Sequence, residues 1–156
     1  MSGSKQITDI FALNNYIVGN IDVLTGNTGM TRLDLGCWDL LDGQCNVSGH
    51  MSTLQNMPNL NSVSFDGLFN IVGTLDPLSD KNQLQYADFS HNPGLVGTLD
   101  PIKNLSGMFD FDVDDTSIGG SLPIELESWR QVQDLNLSNN LLSGALIDFS
   151  KLGKLQ

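Results

Sequence analysis

Apolar residues recur along this chain in a long, regular pattern, and each recurrence is followed by a glycine in the same setting. The glycines are Gly19, Gly49, Gly73, Gly97, Gly120 and Gly144. They are 30, 24, 24, 23 and 24 residues apart, and an apolar residue stands two positions after each of them. A nearly fixed period of this length is typical of repeat architectures, in which each unit packs on the next one.

The spacing inside one unit predicts a short strand. In the last full unit, counting Val132 as position 0 puts Leu135 and Leu137 at positions 3 and 5. Side chains two residues apart lie on the same face of a strand, so positions 3 and 5 face the core. The repeated spacing predicts six strands in one parallel sheet of a right-handed solenoid. Their expected centres are Ile10–Ala12, Leu33–Leu35, Val63–Phe65, Ala87–Phe89, Phe111–Val113 and Leu135–Leu137.

An asparagine often follows the strand at position 8, as at Asn15, Asn92 and Asn140. We expect these side chains to bridge adjacent turns through hydrogen bonds to backbone groups. The pattern L-x-x-L-x-L-x-x-N resembles the leucine-rich repeat. The stretch Leu135–Leu146, LNLSNNLLSGAL, is similar to the plant-type subclass of about 24 residues. The segment TSIGGSLP, which begins at Thr116, is also similar to leucine-rich-repeat surface antigens of some protists.

The resemblance implies a leucine-rich repeat solenoid. Such a coil has a parallel β-sheet on its concave face and short turns, 3-10 or second-strand segments on its convex side. We expect a single domain over 1-156, with repeats at 7-29, 30-59, 60-83, 84-107, 108-131 and 132-154. Both ends lack the polar caps that solenoids need, so we expect an excerpt of a longer array.

The outward-facing strand positions are 2, 4 and 6, which the resemblance places on the concave face. Acidic residues are frequent there, and the candidate ligand-binding residues are Asp34, Asp66, Tyr86, Asp88, Asp110, Asp112, Asp114, Asp134 and Asn136. Neighbouring parallel strands lie about 4.8 Å apart, so like charges on them repel and give the fold no benefit. A basic protein or peptide would relieve that repulsion, and a divalent cation is a second candidate. The alternative is a solvated face that serves solubility alone.

Net charge and motifs narrow the function classes. The net charge of −11 favours a cationic partner over nucleic acid, and the sequence contains no apolar run long enough to span a membrane. Ser90, His91 and Asp115 are the residue types of a catalytic triad. Adjacent residues of a strand point to opposite faces, so we expect the side chains of Ser90 and His91 to diverge. We therefore expect no catalytic residues, no cofactor and no metal.

Two cysteines bracket the insertion CWDLLDGQC in the second repeat. Cys37 and Cys45 are either joined by a disulfide, which would indicate an oxidising compartment, or are two free thiols. Trp38 either packs this loop or is presented to a ligand, whereas Trp129 is expected in the core. Phe11 lies on the outward face, where we expect a cap to cover it.

These features predict a non-catalytic recognition module that binds a protein or peptide, located outside the cell or on its surface as part of a receptor or antigen. One alternative is an ice- or polysaccharide-binding solenoid. Ice binding would require a flat row of threonines or similar residues. The row that directly follows the recurrent glycines is only partly of this kind: Asn20, His50, Thr74, Thr98, Ser121 and Ala145. A second alternative is the ectodomain segment of a receptor kinase.

Overall fold

The computed structural model describes residues 6–37 and 45–152. Twelve short strands occur in these residues: β1 (Asp9–Phe11), β2 (Val18–Asn20), β3 (Arg32–Asp34), β4 (Asn46–His50), β5 (Ser62–Ser64), β6 (Asn70–Val72), β7 (Tyr86–Asp88), β8 (Val96–Gly97), β9 (Asp110–Asp112), β10 (Ser117–Gly120), β11 (Asp134–Asn136) and β12 (Leu141–Leu142). Each repeat contributes one odd-numbered and one even-numbered strand. After its second strand, each repeat has a return segment that leads back toward the main sheet, and we call this part of the coil the return side. The return segments contain 3-10 helices at Ile21–Leu24, Met51–Asn56, Asp76–Leu78, Asp100–Ile102, Ile124–Ser128 and Phe149–Lys151.

The odd-numbered strands form one six-stranded parallel sheet in the order β1-β3-β5-β7-β9-β11. The prediction that all six segments share a sheet is therefore confirmed. Each observed strand is shifted by one residue toward the N-terminus from the predicted segment, as in Asp9–Phe11 against Ile10–Ala12. The even-numbered strands form two smaller parallel sheets, β2-β4-β6 and β8-β10-β12, on the side of the coil. The architecture is the predicted solenoid with one main sheet, second strands and short 3-10 turns.

The core runs the length of the coil, because equivalent apolar residues of successive repeats are in register. Leu33, Val63, Ala87 and Phe111 pair along the main sheet and are all buried. Trp129 is fully buried and packs edge-to-face on Phe111, with ring centroids 5.8 Å apart, which confirms its predicted place in the core. No repeat could bury these side chains alone, so the stacking of repeats supplies the hydrophobic stabilisation.

The asparagines at position 8 join successive repeats at two of the three predicted places. Nδ2 of Asn92 donates to the carbonyl oxygen of Phe65 at 2.8 Å, and Nδ2 of Asn140 donates to that of Val113 at 2.7 Å. Both carbonyls belong to the preceding repeat. The expectation is wrong for Asn15, which donates only to Ala12 and Leu13 of its own repeat. The described residues contain no earlier repeat to which Asn15 could donate.

The recurrent glycines allow close approach between turns. Gly49 has a φ of +144°, and a Cβ atom there would overlap the side chain of Ile21 in the preceding repeat. In this region of φ, side chains other than that of glycine are disfavoured. The glycine at this position therefore lets the second repeat pack closely on the first.

The insertion in the second repeat is bracketed by a disulfide between Cys37 and Cys45, whose Cα atoms are 6.3 Å apart. The expectations for Trp38 and for the inserted loop fall outside the described residues. At the first repeat, Phe11 is 62% exposed on the outward face. The expected cap over it remains a prediction.

Candidate functional site

The outward side chains form two straight rows across the main sheet, as the strand positions predict. The position-2 row consists of Asp9, Arg32, Ser62, Tyr86, Asp110 and Asp134. The position-4 row consists of Phe11, Asp34, Ser64, Asp88, Asp112 and Asn136. The structure thus brings Tyr86, Asp88, Asp110, Asp112, Asp134 and Asn136 together on β7, β9 and β11. We call Asp88, Asp110, Asp112, Asp114 and Asp134 the acidic patch. Asp34 lies apart from it on β3.

The position-4 row also has a structural role, which corrects the expectation that folding gives no reason for aspartate there. Oδ1 of Asp88 accepts the backbone N–H of Ser90 at 3.0 Å, and Oδ1 of Asp112 accepts that of Asp114 at 2.9 Å. Asp34 and Asn136 make the same bond, two residues ahead, at 3.2 Å. A side-chain oxygen in this arrangement stabilises a turn, and it does so whether it comes from a carboxylate or an amide. The turn also explains why β3, β7, β9 and β11 end at position 4.

Three carboxylates of the acidic patch lie in surroundings that disfavour their ionised form. Partial burial raises the pKa values of Asp88, Asp110 and Asp112, and neighbouring carboxylates raise them further. Nδ2 of Asn136 donates to Oδ2 of Asp112 at 3.0 Å, which offsets part of this effect. Within residues 6–37 and 45–152, no lysine, arginine or histidine forms an ion pair with Asp88, Asp110, Asp112 or Asp134.

Ser90 and His91 do not diverge, and the expectation that they would is wrong. Ser90 Oγ lies 2.8 Å from Oδ1 of Asp66, and His91 Nδ1 lies 3.0 Å from the same atom. The strand β7 has already ended at Asp88, and His91 has a φ of +56°, so strand alternation no longer applies. Asp66, placed one repeat earlier and largely buried, therefore receives both side chains.

His91 lies between carboxylates of the repeats on either side. Nε2 of His91 is 3.5 Å from Oδ2 of Asp115, and Nδ1 is 3.8 Å from Oδ1 of Asp114. Desolvation opposes protonation, but the hydrogen bond to Asp66 and the charges of Asp114, Asp66 and Asp115 raise the pKa of His91 overall. The arrangement favours an imidazolium that balances part of the local negative charge.

This cluster has no nucleophile–base pair. The hydroxyl of Ser90 lies near the carboxylates of Asp66 and Asp88, and in the described part of the chain no hydrogen bond joins it to His91. His91, Asp114 and Asp115 each offer one ligand atom within 4.8 Å of the others, a spacing that could hold a cation. However, Nδ1 of His91 is engaged by Asp66.

At the other end of the same face, the protein holds a cation of its own. The guanidinium of Arg32 lies over the ring of Phe11, with its Cζ 5.1 Å from the ring centroid. Nε of Arg32 donates to Oδ1 of Asp9 at 2.8 Å. The hydrogen bond from Arg32, with a second one from Thr31, holds the pKa of Asp9 well below its usual range.

Tyr86 is the exposed aromatic residue beside the acidic patch. Its ring stacks on that of Phe109, with centroids 5.9 Å apart and planes inclined by 13°. The side chain is 46% exposed, and its Cα partner on the next strand is Asp110. One ring face is thus supported by Phe109 next to a row of carboxylates.

The threonine row on the return side serves the turns. Oγ1 of Thr74 donates to Oδ2 of Asp76 at 2.8 Å and accepts the backbone N–H of Asp76, and Thr98 repeats this arrangement with Asp100. The side chain of Asn20 likewise accepts the N–H of Asp22. The bond of Asn20 caps its 3-10 helix, and those of Thr74 and Thr98 stabilise the turns that lead into theirs. They account for the sequence Thr-Leu-Asp-Pro at 74–77 and 98–101 without an external ligand. In the described residues, no helix has the length and apolarity needed to cross a membrane.

No protein-family model and no curated protein matches the sequence. Solved structures do match. The leucine-rich-repeat ectodomain of the Arabidopsis receptor kinase HAESA superposes with a TM-score of 0.72 at 21% identity, over 92% of this chain and 23% of that one. The ectodomain of SOBIR1 from Arabidopsis thaliana gives 0.70 at 17% identity, over 90% of this chain and 74% of that one. The chain has the leucine-rich repeat fold.

A bacterial leucine-rich repeat protein shares the fold as well. An internalin from Listeria monocytogenes superposes with a TM-score of 0.60 at 18% identity, over 89% of this chain and 34% of that one. This leucine-rich repeat chain therefore spans about a third of the internalin and about a quarter of the HAESA ectodomain. The plant-type resemblance in the sequence and the observed fold agree.

Proposed function

We propose that this chain is a non-catalytic recognition module that binds a basic protein or peptide on the acidic patch of its concave face. The observation that carries the proposal is the set of outward carboxylates on β7, β9 and β11 that form no ion pair in the described residues. Two like charges about 5 Å apart repel by roughly 0.8 kcal/mol in water, and by more when partly buried. A cationic partner would turn that repulsion into attraction.

The structural neighbours support the class of partner. The HAESA ectodomain was solved with an N-terminally extended IDA peptide hormone, and the ectodomain of GASSHO1/SCHENGEN3 with CASPARIAN STRIP INTEGRITY FACTOR 2. Both are ectodomains of plant receptor kinases. We therefore propose an extracellular or cell-surface receptor role for the module. The disulfide between Cys37 and Cys45 agrees with an oxidising compartment.

Two other candidate surfaces are already engaged, which favours the acidic patch as the site. The return-side threonine hydroxyls bond to Asp76 and Asp100, and Arg32 is bound to Asp9. The proposed ligand residues are Asp34, Asp66, Tyr86, Asp88, Asp110, Asp112, Asp114, Asp134 and Asn136. Of these, the acidic patch and Tyr86 supply the charge and the exposed ring, Asp66 lies beside the patch, and Asp34 lies apart from it on β3.

The test uses a short peptide of alternating arginine, lysine and glycine, with a glutamate-containing peptide of the same length as the control. Isothermal titration should detect binding of the basic peptide alone, and its affinity should fall as salt rises, because exposed charges are screened within about 10 Å at 0.1 M. The variant Asp88→Asn/Asp112→Asn should bind at least tenfold more weakly. The matched control Asp76→Asn/Glu125→Gln removes the same charge from the return side and should change affinity less than twofold. Equal losses in the two variants would contradict the proposal.

A further inference from the structure

Three Asn-x-Ser sequences, the acceptor motif for N-linked glycans, occur in the chain, at Asn46, Asn104 and Asn136. The motif is short and also arises by chance, so the surroundings of each asparagine must decide. An acceptor asparagine needs a free carboxamide nitrogen and open surface for a bulky sugar, and a surface loop or turn supplies both.

Asn136 does not meet these conditions. It is half-buried in β11 on the concave face, and its Nδ2 donates to Oδ2 of Asp112 at 3.0 Å. Its Oδ1 accepts the backbone N–H of Ser138 at 3.2 Å. A glycan on Nδ2 would lie against Asp112, inside the acidic patch, and would cover the proposed ligand site.

Asn46 is exposed, but its motif lies in a strand. It begins β4, whose backbone pairs with β2 on one side and β6 on the other, and it directly follows the disulfide-bonded Cys45. The hydroxyl of Ser48, the third residue of the motif, donates to the carbonyl oxygen of Gly19 at 3.4 Å. This motif is therefore held extended and partly engaged.

Asn104 lies in an exposed turn on the return side, two residues after the 3-10 helix Asp100–Ile102. Leu105 is buried and anchors the turn to the core, while Asn104 and Ser106 on either side of it are exposed. The backbone N–H of Ser106 donates to the carbonyl oxygen of Asn104 at 2.9 Å, which holds the motif in a tight bend. In the described residues, no hydrogen bond engages the carboxamide of Asn104.

The preceding repeat has the same turn without the motif, at residues 80–82. The backbone N–H of Asn82 donates to the carbonyl oxygen of Asp80 at 3.0 Å, and Lys81 is buried as Leu105 is. The carboxylate of Asp80 is paired with Lys81, whereas the equivalent carboxamide of Asn104 is free. The turn is thus a feature of the fold, and of these two turns only the later one has the acceptor motif.

We propose that Asn104 is the acceptor of an N-linked glycan on the return side of the coil. The donor is an oligosaccharide attached to a lipid pyrophosphate. Nδ2 of Asn104 forms a bond to C1 of the first sugar, the bond from C1 to the pyrophosphate oxygen breaks, and the lipid pyrophosphate leaves with the amide proton. Nothing is oxidised or reduced in this transfer.

The glycan stands on the return side and leaves the acidic patch on the main sheet open to its ligand. The disulfide between Cys37 and Cys45 agrees with passage through an oxidising secretory compartment, where such glycans are added. The inference rests on the extracellular location in the proposed function, and not on the identity of the ligand.

The direct test is to pass the whole chain through a eukaryotic secretory pathway behind a cleavable signal peptide and to map its glycans. Release with peptide-N-glycosidase in heavy-oxygen water converts each occupied asparagine to a labelled aspartate, which mass spectrometry locates. Asn104 should be occupied in most molecules, and Asn46 and Asn136 in few. A secreted chain without sugar on Asn104, or with more on Asn136 than on Asn104, would overturn the proposal.

Matched variants assign the sugar to this turn. Asn104→Gln and Ser106→Ala each remove a required group and should abolish the glycan, whereas Ser106→Thr keeps the hydroxyl and should retain it. The triple variant Asp80→Asn/Lys81→Leu/Asn82→Ser copies the sequence of 104–106 into the equivalent turn and should gain a second glycan. A secreted triple variant with one glycan would refute the role of the turn.

The outcomes separate this inference from the proposed function. If the glycan is present and the basic peptide does not bind, the acceptor site stands and the recognition role is wrong. If the peptide binds and Asn104 has no glycan, the acceptor site is wrong and the recognition role stands. If both hold, the wild type and Asn104→Gln should bind the peptide with equal affinity, because the glycan lies on the return side.

Discussion

Nδ1 of His91 lies 3.0 Å from Oδ1 of Asp66, which belongs to the preceding repeat, so the pair joins two repeats beside the acidic patch. The pKa of His91 is raised in the folded protein. Its contribution to stability is therefore fully present below its ordinary value of about 6.5 and is lost as pH rises through the raised folded value. The side chain is 38% exposed, so solvent screening limits the contribution to about 0.5 kcal/mol.

The variant His91→Asn tests this pair. Asparagine occupies the equivalent position at Asn139, where φ is +52°, so the backbone conformation tolerates it. Chemical unfolding between pH 5.5 and 9 should show that the wild type loses its small advantage over the variant at the alkaline end. A stability difference that stays constant with pH would show that the imidazolium does not contribute.

The position-4 row predicts opposite effects for two substitutions of the same residues. Asp88→Asn/Asp112→Asn keeps the oxygen that accepts the N–H two residues ahead and removes the repulsion, so it should stabilise the free protein by about 1 kcal/mol at pH 7. Asp88→Ala/Asp112→Ala removes the oxygen as well and should destabilise it by about 1–2 kcal/mol. Urea unfolding measures both.

The pH dependence of the asparagine variant follows from the raised pKa values of Asp88 and Asp112. Carboxylates with raised pKa values destabilise the fold above those values, and protonation relieves the penalty as pH falls toward their ordinary range near 3.9. The gain from Asp88→Asn/Asp112→Asn should therefore shrink below pH 5. A gain that persists unchanged at pH 4 would exclude charge repulsion as its cause.

The asparagines at position 8 predict a difference between two alanine variants. Nδ2 of Asn92 is buried and donates to the carbonyls of Phe65, Phe89 and Ser90, so Asn92→Ala leaves buried acceptors unpaired and should cost about 2–3 kcal/mol. Asn15 is exposed and bonds within its own repeat, so Asn15→Ala should cost less than about 1 kcal/mol. Thermal unfolding of the two variants provides the comparison, and equal costs would exclude an inter-repeat role.

The disulfide between Cys37 and Cys45 predicts that the native protein has no free thiol at these positions. Alkylation without reduction, followed by mass spectrometry, should label neither cysteine in protein from an oxidising source. Labelling should appear after reduction. Two alkylated cysteines in the unreduced sample would refute the pairing.

The sheet and its outward rows could be predicted because they depend on two periodicities, the repeat length and the strand alternation. Tyr86, Asp110 and Asp134 therefore appear in the predicted row. The contact between Asp66 and His91 could not be predicted from these periodicities, because His91 follows the strand and has a positive φ. The side-chain bond that stabilises the turn after the strand had one signal in the sequence. This signal is an aspartate two residues before the residue whose N–H it accepts, as in Asp88 and Ser90.

Lys81 shows a further limit of pattern reading. It is fully buried on the return side, where Nζ donates to Oδ1 of Asp80 at 2.7 Å and to the carbonyl oxygen of Gln55 at 3.3 Å. A charged residue at a buried position interrupts the apolar pattern, and its partners come from a neighbour and from the preceding repeat. Such compensation depends on three-dimensional contacts and leaves no trace in the spacing.

The acidic patch is proposed to contact a basic ligand directly. Carbodiimide coupling joins a carboxylate to an amine that lies against it, and mass spectrometry of a protein coupled to a lysine-containing basic peptide identifies the residues joined. Cross-links are expected at Asp88, Asp110, Asp112 or Asp134, and they should disappear at high salt. Cross-links concentrated on the return side, at Asp76, Asp100 or Glu125, would contradict it.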